Sequence, residues 1–210
     1  MKILRPIGGA AGVFFPIGKV SKNGTCENAT KECLKFCCAL WGYDHDEEYR
    51  VSPKDKREIY ILFIGLPIFE LCNKILEEMK ELQTSILSWF ASGDCMKKDI
   101  ARISSIMKLL SENSDIIQNG FSKNRELFSE IQYLEKVHMV HTVKSKSEIG
   151  SSSAKIYAIS EYDHGDTKLY TRECTYAGSC GSSTYTIKNL TITNNCKTCL
   201  RLKKGCFTKI

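Results

Sequence analysis

The chain has 210 residues, of which 42% are hydrophobic and 26% are charged. This length and composition predict a globular protein with one sizeable core and exclude a small disulfide-stapled scaffold. We expect a single domain over residues 1–210, with an N-terminal cysteine segment at 1–42, a β/α core at 59–165 and a cysteine-rich basic tail at 166–210.

The net charge of +6 is unevenly distributed, because residues 1–25 and 168–210 are strongly basic and the segment between them is acidic. Such asymmetry is typical of proteins that bind a polyanion such as nucleic acid. Basic side chains around a metal–thiolate centre, where they offset its negative charge, explain the same distribution. Both interpretations stay open.

The sequence argues against membrane insertion and secretion. No apolar run reaches the ~18 residues of a membrane span. The first 20 residues are interrupted by glycines, Pro16 and Lys19, which does not fit a signal peptide. An odd number of cysteines, 11, favours metal binding in a reducing compartment over a disulfide framework. We therefore expect a cytoplasmic protein with no membrane segment.

The first 83 residues contain two predicted helices. Residues 1–25 are Gly-rich and indicate loop and short extended structure, and residues 29–41 suit a short helix. A charged connection is expected over 44–58, followed by an apolar run at 59–64 that fits either a strand or a helix. Apolar residues at spacings of three and four predict an amphipathic helix over 67–83, with Cys72 in its core-facing stripe.

The middle of the chain alternates between strand and helix patterns. Predicted strands at 85–91, 116–121, 137–143 and 155–159 are separated by helical runs at 97–110 and 125–134. This alternation predicts an α/β fold with parallel βαβ connections. In such sheets the functional loops follow the carboxyl ends of the strands.

Cysteines concentrate at the two ends of the chain. Cys196 and Cys199 have the two-residue spacing of a metal knuckle, and Cys33 and Cys37 share one face of the predicted helix. A zinc site and a simple iron–sulfur cubane each need four ligands, so these thiols can fill one site or two. A 4Fe–4S cluster is favoured, zinc is the alternative, and a chain without metal stays open. The candidate ligands are Cys26, Cys33, Cys37, Cys174, Cys180, Cys196, Cys199 and Cys206, with Cys38 an alternative to Cys37.

Two polar loops follow predicted strands. Ser92, Gly93 and Asp94 are candidates for binding a cofactor or substrate, although capping of the next helix by Asp94 is the simpler explanation. The segment 122–124 occupies the equivalent place after the next strand, where a solvated turn is the simpler interpretation. His138 and His141 face opposite sides of a strand, which predicts one core and one surface histidine and not a metal pair.

Four short motifs together resemble the phage and bacterial family named after "gene product 88". They are Thr25-Cys26 with Ala29-Thr30, Cys33, Cys37 and Ala39; Ala91 to Asp94 after a strand; Gly120 to Asn124 before a helix; and Cys199 with Cys206-Phe207. The resemblance covers about residues 20–207 and implies a radical-SAM-like partial (β/α) barrel with a thiol-bound cluster, but no particular reaction. Cys38 replaces the family's usual aromatic residue, and Leu40 stands where a radical SAM motif has its third cysteine.

Two functions follow as hypotheses. The first is an iron–sulfur protein with a partial-barrel fold and an irregular cysteine-rich C-terminal segment. Cysteines from both ends of the chain jointly bind a 4Fe–4S cluster at the open mouth of the barrel. The cluster serves redox or S-adenosylmethionine-dependent chemistry. The second is a non-enzymatic module in which zinc staples the basic tail, and Lys197, Arg201, Lys203 and Lys204 contact nucleic acid phosphates. A secreted disulfide protein is a third and weaker alternative.

Overall fold

The computed structural model describes residues 1–7, 9–35, 37, 39, 51–143, 146–148, 150–154, 156–159, 183–187 and 190–194. The predicted ligands Cys174, Cys180, Cys196, Cys199 and Cys206 lie outside these residues, as do Cys38 and the basic residues of the tail from 197 to 204.

The chain begins with a β-hairpin. Strand β1 (Leu4–Ile7) pairs antiparallel with β2 (Ala10–Phe14), and Gly9 has a φ of 79° in the turn between them. Glycine is favoured at such a position because it has no Cβ to clash with the backbone. The expectation of loop and short extended structure over 1–25 is confirmed, and the extended part is a two-stranded hairpin.

The remaining elements follow in chain order. They are α1 (Lys31–Lys35), α2 (Pro53–Gly65), α3 (Ile68–Glu81), β3 (Ile86–Ser92), α4 (Ile100–Asn113), β4 (Ile117–Ser122), α5 (Arg125–Ile131), β5 (Val137–Val143), β6 (Ile156–Ile159), and a separate antiparallel pair, β7 (Ser183–Ile187) and β8 (Leu190–Asn194). None of the helices among the described residues is both long and apolar enough to cross a membrane.

The first six strands form one sheet in the order β1-β2-β3-β4-β5-β6, and β2 to β6 are parallel. This confirms the predicted α/β class and the parallel βαβ connections. Each connection moves one strand along the sheet in the same direction. Because such connections are right-handed, helices α3, α4 and α5 are expected on one face of the sheet, and α4 indeed contacts both α3 and α5.

The apolar run at 59–64, which fitted either a strand or a helix, lies within α2 and is helical. The Ser52 hydroxyl accepts a hydrogen bond of 3.0 Å from the Asp55 amide, and Pro53 occupies the first turn, where its missing N–H costs nothing. The helix therefore begins within the segment predicted as a charged connection, 44–58. That prediction is wrong from Pro53 onward, because the capping residues were strong enough to start a helix in a polar stretch.

The core between the sheet and α2 is aromatic. The Phe63 ring lies 5.8 Å from that of Trp89 and 5.3 Å from that of Phe15, both in edge-to-face contact. Gln118 crosses this core, since it accepts a hydrogen bond from the Trp89 indole at 2.9 Å and donates one to the Met107 carbonyl at 2.9 Å. Cys72 is 3% exposed in the same core, which confirms its predicted structural role.

A buried carboxylate anchors β1 to the helical layer. Glu78, on α3, accepts hydrogen bonds from the amides of Ile3 and Leu4 at 2.8 to 3.0 Å. Lys74, one turn earlier, lies 3.2 Å from the same carboxylate. These contacts offset the desolvation of the Glu78 charge and fix the start of the edge strand.

Candidate functional site

The loops after β3 and β4 meet at the carboxyl edge of the sheet, where Asp94 is their common hydrogen-bond acceptor. Its Oδ1 accepts from the Ser122 hydroxyl at 2.6 Å and from the Cys95 amide at 2.7 Å, and its Oδ2 accepts from the Lys123 amide at 2.9 Å. Helix α4 begins at Ile100 with no side-chain cap. The capping role expected for Asp94 is therefore wrong, because this carboxylate joins two loops.

Asp94 is 7% exposed, and burial raises its pKa from an ordinary 3.8 to about 6. The hydrogen bonds from Ser122, Lys123 and Cys95 stabilise the ionised form and oppose this rise, as does the charge of Lys123. The loop is thus built around a carboxyl group that changes protonation in mildly acidic solution.

The segment 122–124 is buried at both ends and half-buried at Lys123, which corrects its interpretation as a solvated turn. Ser122 and Asn124 are only 2% and 3% exposed. The Asn124 side chain donates to the Cys95 carbonyl at 3.0 Å and accepts from the Glu126 amide at 3.2 Å, so it also caps α5. The contacts of this segment with Asp94 and Cys95 left no local sign in the sequence, since these partners lie 28 and 29 residues away.

The Ser92-Gly93-Asp94 triplet is also held by internal contacts. The Ser92 hydroxyl donates to the Phe15 carbonyl at 2.8 Å, and the Asp94 amide donates to the Thr25 hydroxyl at 3.1 Å. Gly93 has a φ of 76°, and a Cβ there would lie 2.6 Å from Thr25 Oγ1. Glycine is therefore required both for the backbone conformation and for the close approach of the 15–25 segment.

The three N-terminal candidate ligands gather over this edge of the sheet. Cys26 directly follows Thr25, Cys33 lies on α1, and Cys37 follows that helix. Burial is the main cause that raises the pKa of Cys26 to about 12; the charges of Asp94, Cys37 and Cys33 contribute to this rise, and a hydrogen bond with the Gly18 backbone opposes it. The three thiols are therefore near enough for their charges to interact, and the prediction that they are metal ligands, in one site or two, stays a prediction.

Lys123 is the cationic partner of this thiol cluster, which we define as Cys26, Cys33 and Cys37. Burial raises the pKa of Cys33, whereas the charge of Lys123 and a hydrogen bond from its side chain lower it. A lysine beside a thiol favours the thiolate, which is the form that binds metal. In the sequence this residue belongs to a loop that could line the mouth of the sheet, with a solvated turn as the simpler interpretation, and nothing local indicated its contact with Cys33.

The donor chemistry of the thiol cluster fits a soft metal, since three thiols are the usual ligands of iron–sulfur clusters and of structural zinc. Among the described residues, no group of three Cys, His, Asp or Glu side chains has the geometry to hold a metal ion as it stands. Ligation therefore requires the thiols to approach one another and a further ligand from elsewhere in the chain.

The two histidines of β5 behave as the strand period predicts. His141 is 5% exposed, its ring lies 4.8 Å from that of Phe128, and its Nδ1 is 2.8 Å from the Ser152 hydroxyl. Burial lowers the pKa of His141. His138 is half-buried, and the strand period places it on the opposite face, so His141 is the core histidine of the predicted pair.

Comparison of the chain with protein-family models, curated proteins and solved structures finds no match. Its function is therefore inferred from the sequence motifs and from the geometry of this edge of the sheet.

Proposed function

We propose that this protein binds a 4Fe–4S cluster through Cys26, Cys33 and Cys37, with a further ligand from the tail cysteines. The observation that supports the proposal is that the charges of Cys26, Cys33 and Cys37 interact with one another and with Asp94, in the loop after β3, while Lys123 donates a hydrogen bond to Cys33. Three soft ligands within twelve residues are a poor match to a hard cation and a good match to iron–sulfur or zinc. We take the cytoplasm as its compartment, because reduced thiols are needed for ligation.

The strand order supports a partial (β/α) barrel as the architecture. Five parallel strands follow one another in the sheet in their sequence order, which is the connectivity of a barrel and not of a doubly wound sheet. The resemblance to the gene product 88 family implies the same radical-SAM-like arrangement, with ligands bound at the carboxyl ends of the strands. We extend the proposal to S-adenosylmethionine as a ligand at the loop of Ser92, Gly93 and Asp94.

A bound cluster supplies one-electron chemistry, and the protein supplies its position and charge environment. Thr25 fixes the backbone next to Cys26 through its hydrogen bond with the Asp94 amide. Lys123 offsets negative charge at Cys33. Asp94 holds the Lys123 backbone in place, so one hydrogen-bonded loop orients both a ligand segment and its counter-charge.

The test is the metal content of anaerobically purified full-length protein. We expect brown protein with broad absorption near ~400 nm and several irons per chain. Cys33→Ser should lose the iron, and Cys199→Ser should do the same if both ends of the chain share one site. Cys72→Ala is the matched control, because this thiol lies in the core and its removal should leave the iron content unchanged.

Colourless protein with stoichiometric zinc would overturn the proposal of an iron–sulfur cluster and favour the non-enzymatic module in which zinc holds the basic tail. The basic tail should then bind DNA with a steep dependence on salt concentration. Protein without either metal would overturn both proposals. Loss of iron in Cys33→Ser but not in Cys199→Ser would exclude the shared site and leave the N-terminal ligands in place.

A further inference from the structure

Phe90 bends strand β3 near its carboxyl end. Its φ is 52°, in the left-handed region that a bulky L side chain rarely adopts. Trp89 and Phe90 are consecutive residues, yet their ring centroids lie 6.0 Å apart and both side chains are buried. Consecutive residues of a regular strand point to opposite faces of the sheet. The bend therefore turns both rings into the same aromatic core.

The register between β2 and β3 changes at this bend. Gly12 pairs with Ser88, so Phe14, two residues later, would pair with Phe90 in a regular parallel ladder. It pairs instead with Ser92, so that two residues of β2 correspond to four of β3. At about 3.3 Å per residue, the two additional residues shorten the reach of β3 by about 6.6 Å.

The shorter reach of β3 brings the loop that follows it against the segment after the hairpin. The Ser92 carbonyl accepts a hydrogen bond from the Phe15 amide at 2.9 Å, and the Ser92 hydroxyl donates to the Phe15 carbonyl at 2.8 Å. The Asp94 amide donates to the Thr25 hydroxyl at 3.1 Å. In a ladder without the bend, Ser92 would lie opposite Pro16, which has no amide hydrogen to donate. The bend therefore decides which partners this loop meets.

Packing on both sides of Phe90 holds the bend. The Trp89 carbonyl passes so close to Gly120 on β4 that a Cβ there would lie 2.3 Å from the oxygen, and only glycine admits this path of the backbone. The Phe90 ring lies 5.8 Å from that of Phe15 in the aromatic core. A strained backbone conformation persists where the surrounding structure over-determines it, and these contacts supply that constraint.

We propose that Phe90 is a positioning residue for the loop of Ser92, Gly93 and Asp94. Its left-handed backbone sets the register in which this loop meets Phe15 and Thr25, and its ring holds that conformation in the aromatic core. Backbone strain of this kind is concentrated at functional sites, where it fixes the geometry of a loop in advance. This role of Phe90 requires no bound metal or cofactor, so it does not depend on the proposed cluster.

Thermal unfolding of two variants of the full-length protein tests the strain. Phe90→Gly and Phe90→Ala both lose the ring, so the difference between them reports on the backbone alone. The Tm of Phe90→Gly should exceed that of Phe90→Ala by about 2–4 °C, because glycine adopts a positive φ without a steric clash. Ala91→Gly is the matched control: Ala91 has no positive φ, so the same change from alanine to glycine should lower the Tm there. A Tm of Phe90→Gly equal to or below that of Phe90→Ala would overturn the proposal.

Amide hydrogen exchange of the folded protein tests the positioning of the loop. The exchange rates of the Asp94 and Lys123 amides are each divided by that of the Met107 amide on α4, which removes changes in global stability. Phe90→Ile keeps an apolar side chain, but a β-branched residue disfavours a positive φ. These ratios should therefore rise by about tenfold or more in Phe90→Ile and stay near those of the unaltered protein in Phe90→Gly.

The order of these two variants separates positioning from packing. If the Phe90 ring only filled the core, isoleucine would replace it better than glycine, and the ratios would be higher in Phe90→Gly. Ratios in Phe90→Ile that do not exceed those in Phe90→Gly would overturn the proposal. If Phe90→Ile does not fold, Phe90→Ala takes its place, and exchange no faster in Phe90→Ala than in Phe90→Gly would overturn the proposal in the same way.

Discussion

Replacing Asp94 by asparagine should change the way in which stability depends on pH. Asp94 is buried and its pKa is raised from 3.8 to about 6. Between these two values the folded protein holds a proton on Asp94 that the unfolded chain has already released. Folding is then favoured by low pH, and the free energy of unfolding falls as the pH rises from about 4 to about 6.

The size of this effect follows from the shift in pKa. The rise from 3.8 to about 6 corresponds to about 3 kcal/mol of stability that is present below pH 4 and lost above about pH 6. Asp94→Asn removes the titrating group, so this pH-dependent part should be missing from the variant. The variant keeps an oxygen that can still accept the hydrogen bond from Ser122.

The measurement is urea unfolding of both proteins at half-unit steps from pH 4 to pH 7, with the difference in unfolding free energy plotted against pH. Subtraction removes the contributions of all groups that titrate in both proteins. Glu112→Gln is the control, because this carboxylate lies at the surface in a 3.9 Å pair with Lys108, and its difference plot should be flat. The reasoning is refuted if the difference in unfolding free energy, wild type minus Asp94→Asn, stays constant or rises as the pH increases. Such a result would mean that the hydrogen bonds to Asp94 outweigh its desolvation.

Three further substitutions test the contacts that position this site. Glu78→Ala should destabilise the protein by about 3 kcal/mol, because it leaves buried amides of β1 unpaired. The control Glu81→Ala, at an exposed residue, should cost under about 0.5 kcal/mol in the same urea assay. Equal losses of unfolding free energy in the two variants would contradict the role of Glu78 in anchoring β1. Gln118→Ala should lower the free energy of unfolding by about 2 kcal/mol or more and alter tryptophan fluorescence, because it leaves the buried Trp89 indole without its hydrogen-bond acceptor. An unchanged midpoint of urea unfolding would refute this prediction. Lys123→Met should lower the iron retained on purification, and a normal iron content would show that its charge is not needed.

The secondary structure of the middle of the chain was predictable because local patterns decide it. The helix predicted over 67–83 is observed at Ile68–Glu81, and the strand predicted over 137–143 is observed at Val137–Val143. In the helix the apolar residues recur at spacings of three and four, and the strand is a short segment in which β-branched residues predominate. The apolar run at 59–64 is too short to have a distinct period. The N-cap Ser52 and Pro53 in the first turn show instead that it belongs to a helix.

The contacts of the site were less predictable, because they join distant parts of the sequence. The position of the two polar loops followed from the βαβ pattern, since the carboxyl ends of adjacent parallel strands share one edge of the sheet. Their burial did not follow, because it depends on Thr25 and the hairpin packing against Gly93 from about 70 residues away. Hydrogen bonds over such separations leave no periodic or compositional signal in the chain.

The connection between Thr25 and Asp94 argues that the thiol cluster and the sheet edge form one unit. The Thr25 hydroxyl accepts from the Asp94 amide and donates to the Pro16 carbonyl at 3.0 Å, so it ties the end of the hairpin to the loop after β3. Cys26 is the next residue, and its position is therefore set by the loop that also holds Lys123 through Asp94. Because the segment at Cys26 and the backbone of Lys123 depend on the same residue, Asp94, a movement of either loop should alter both together.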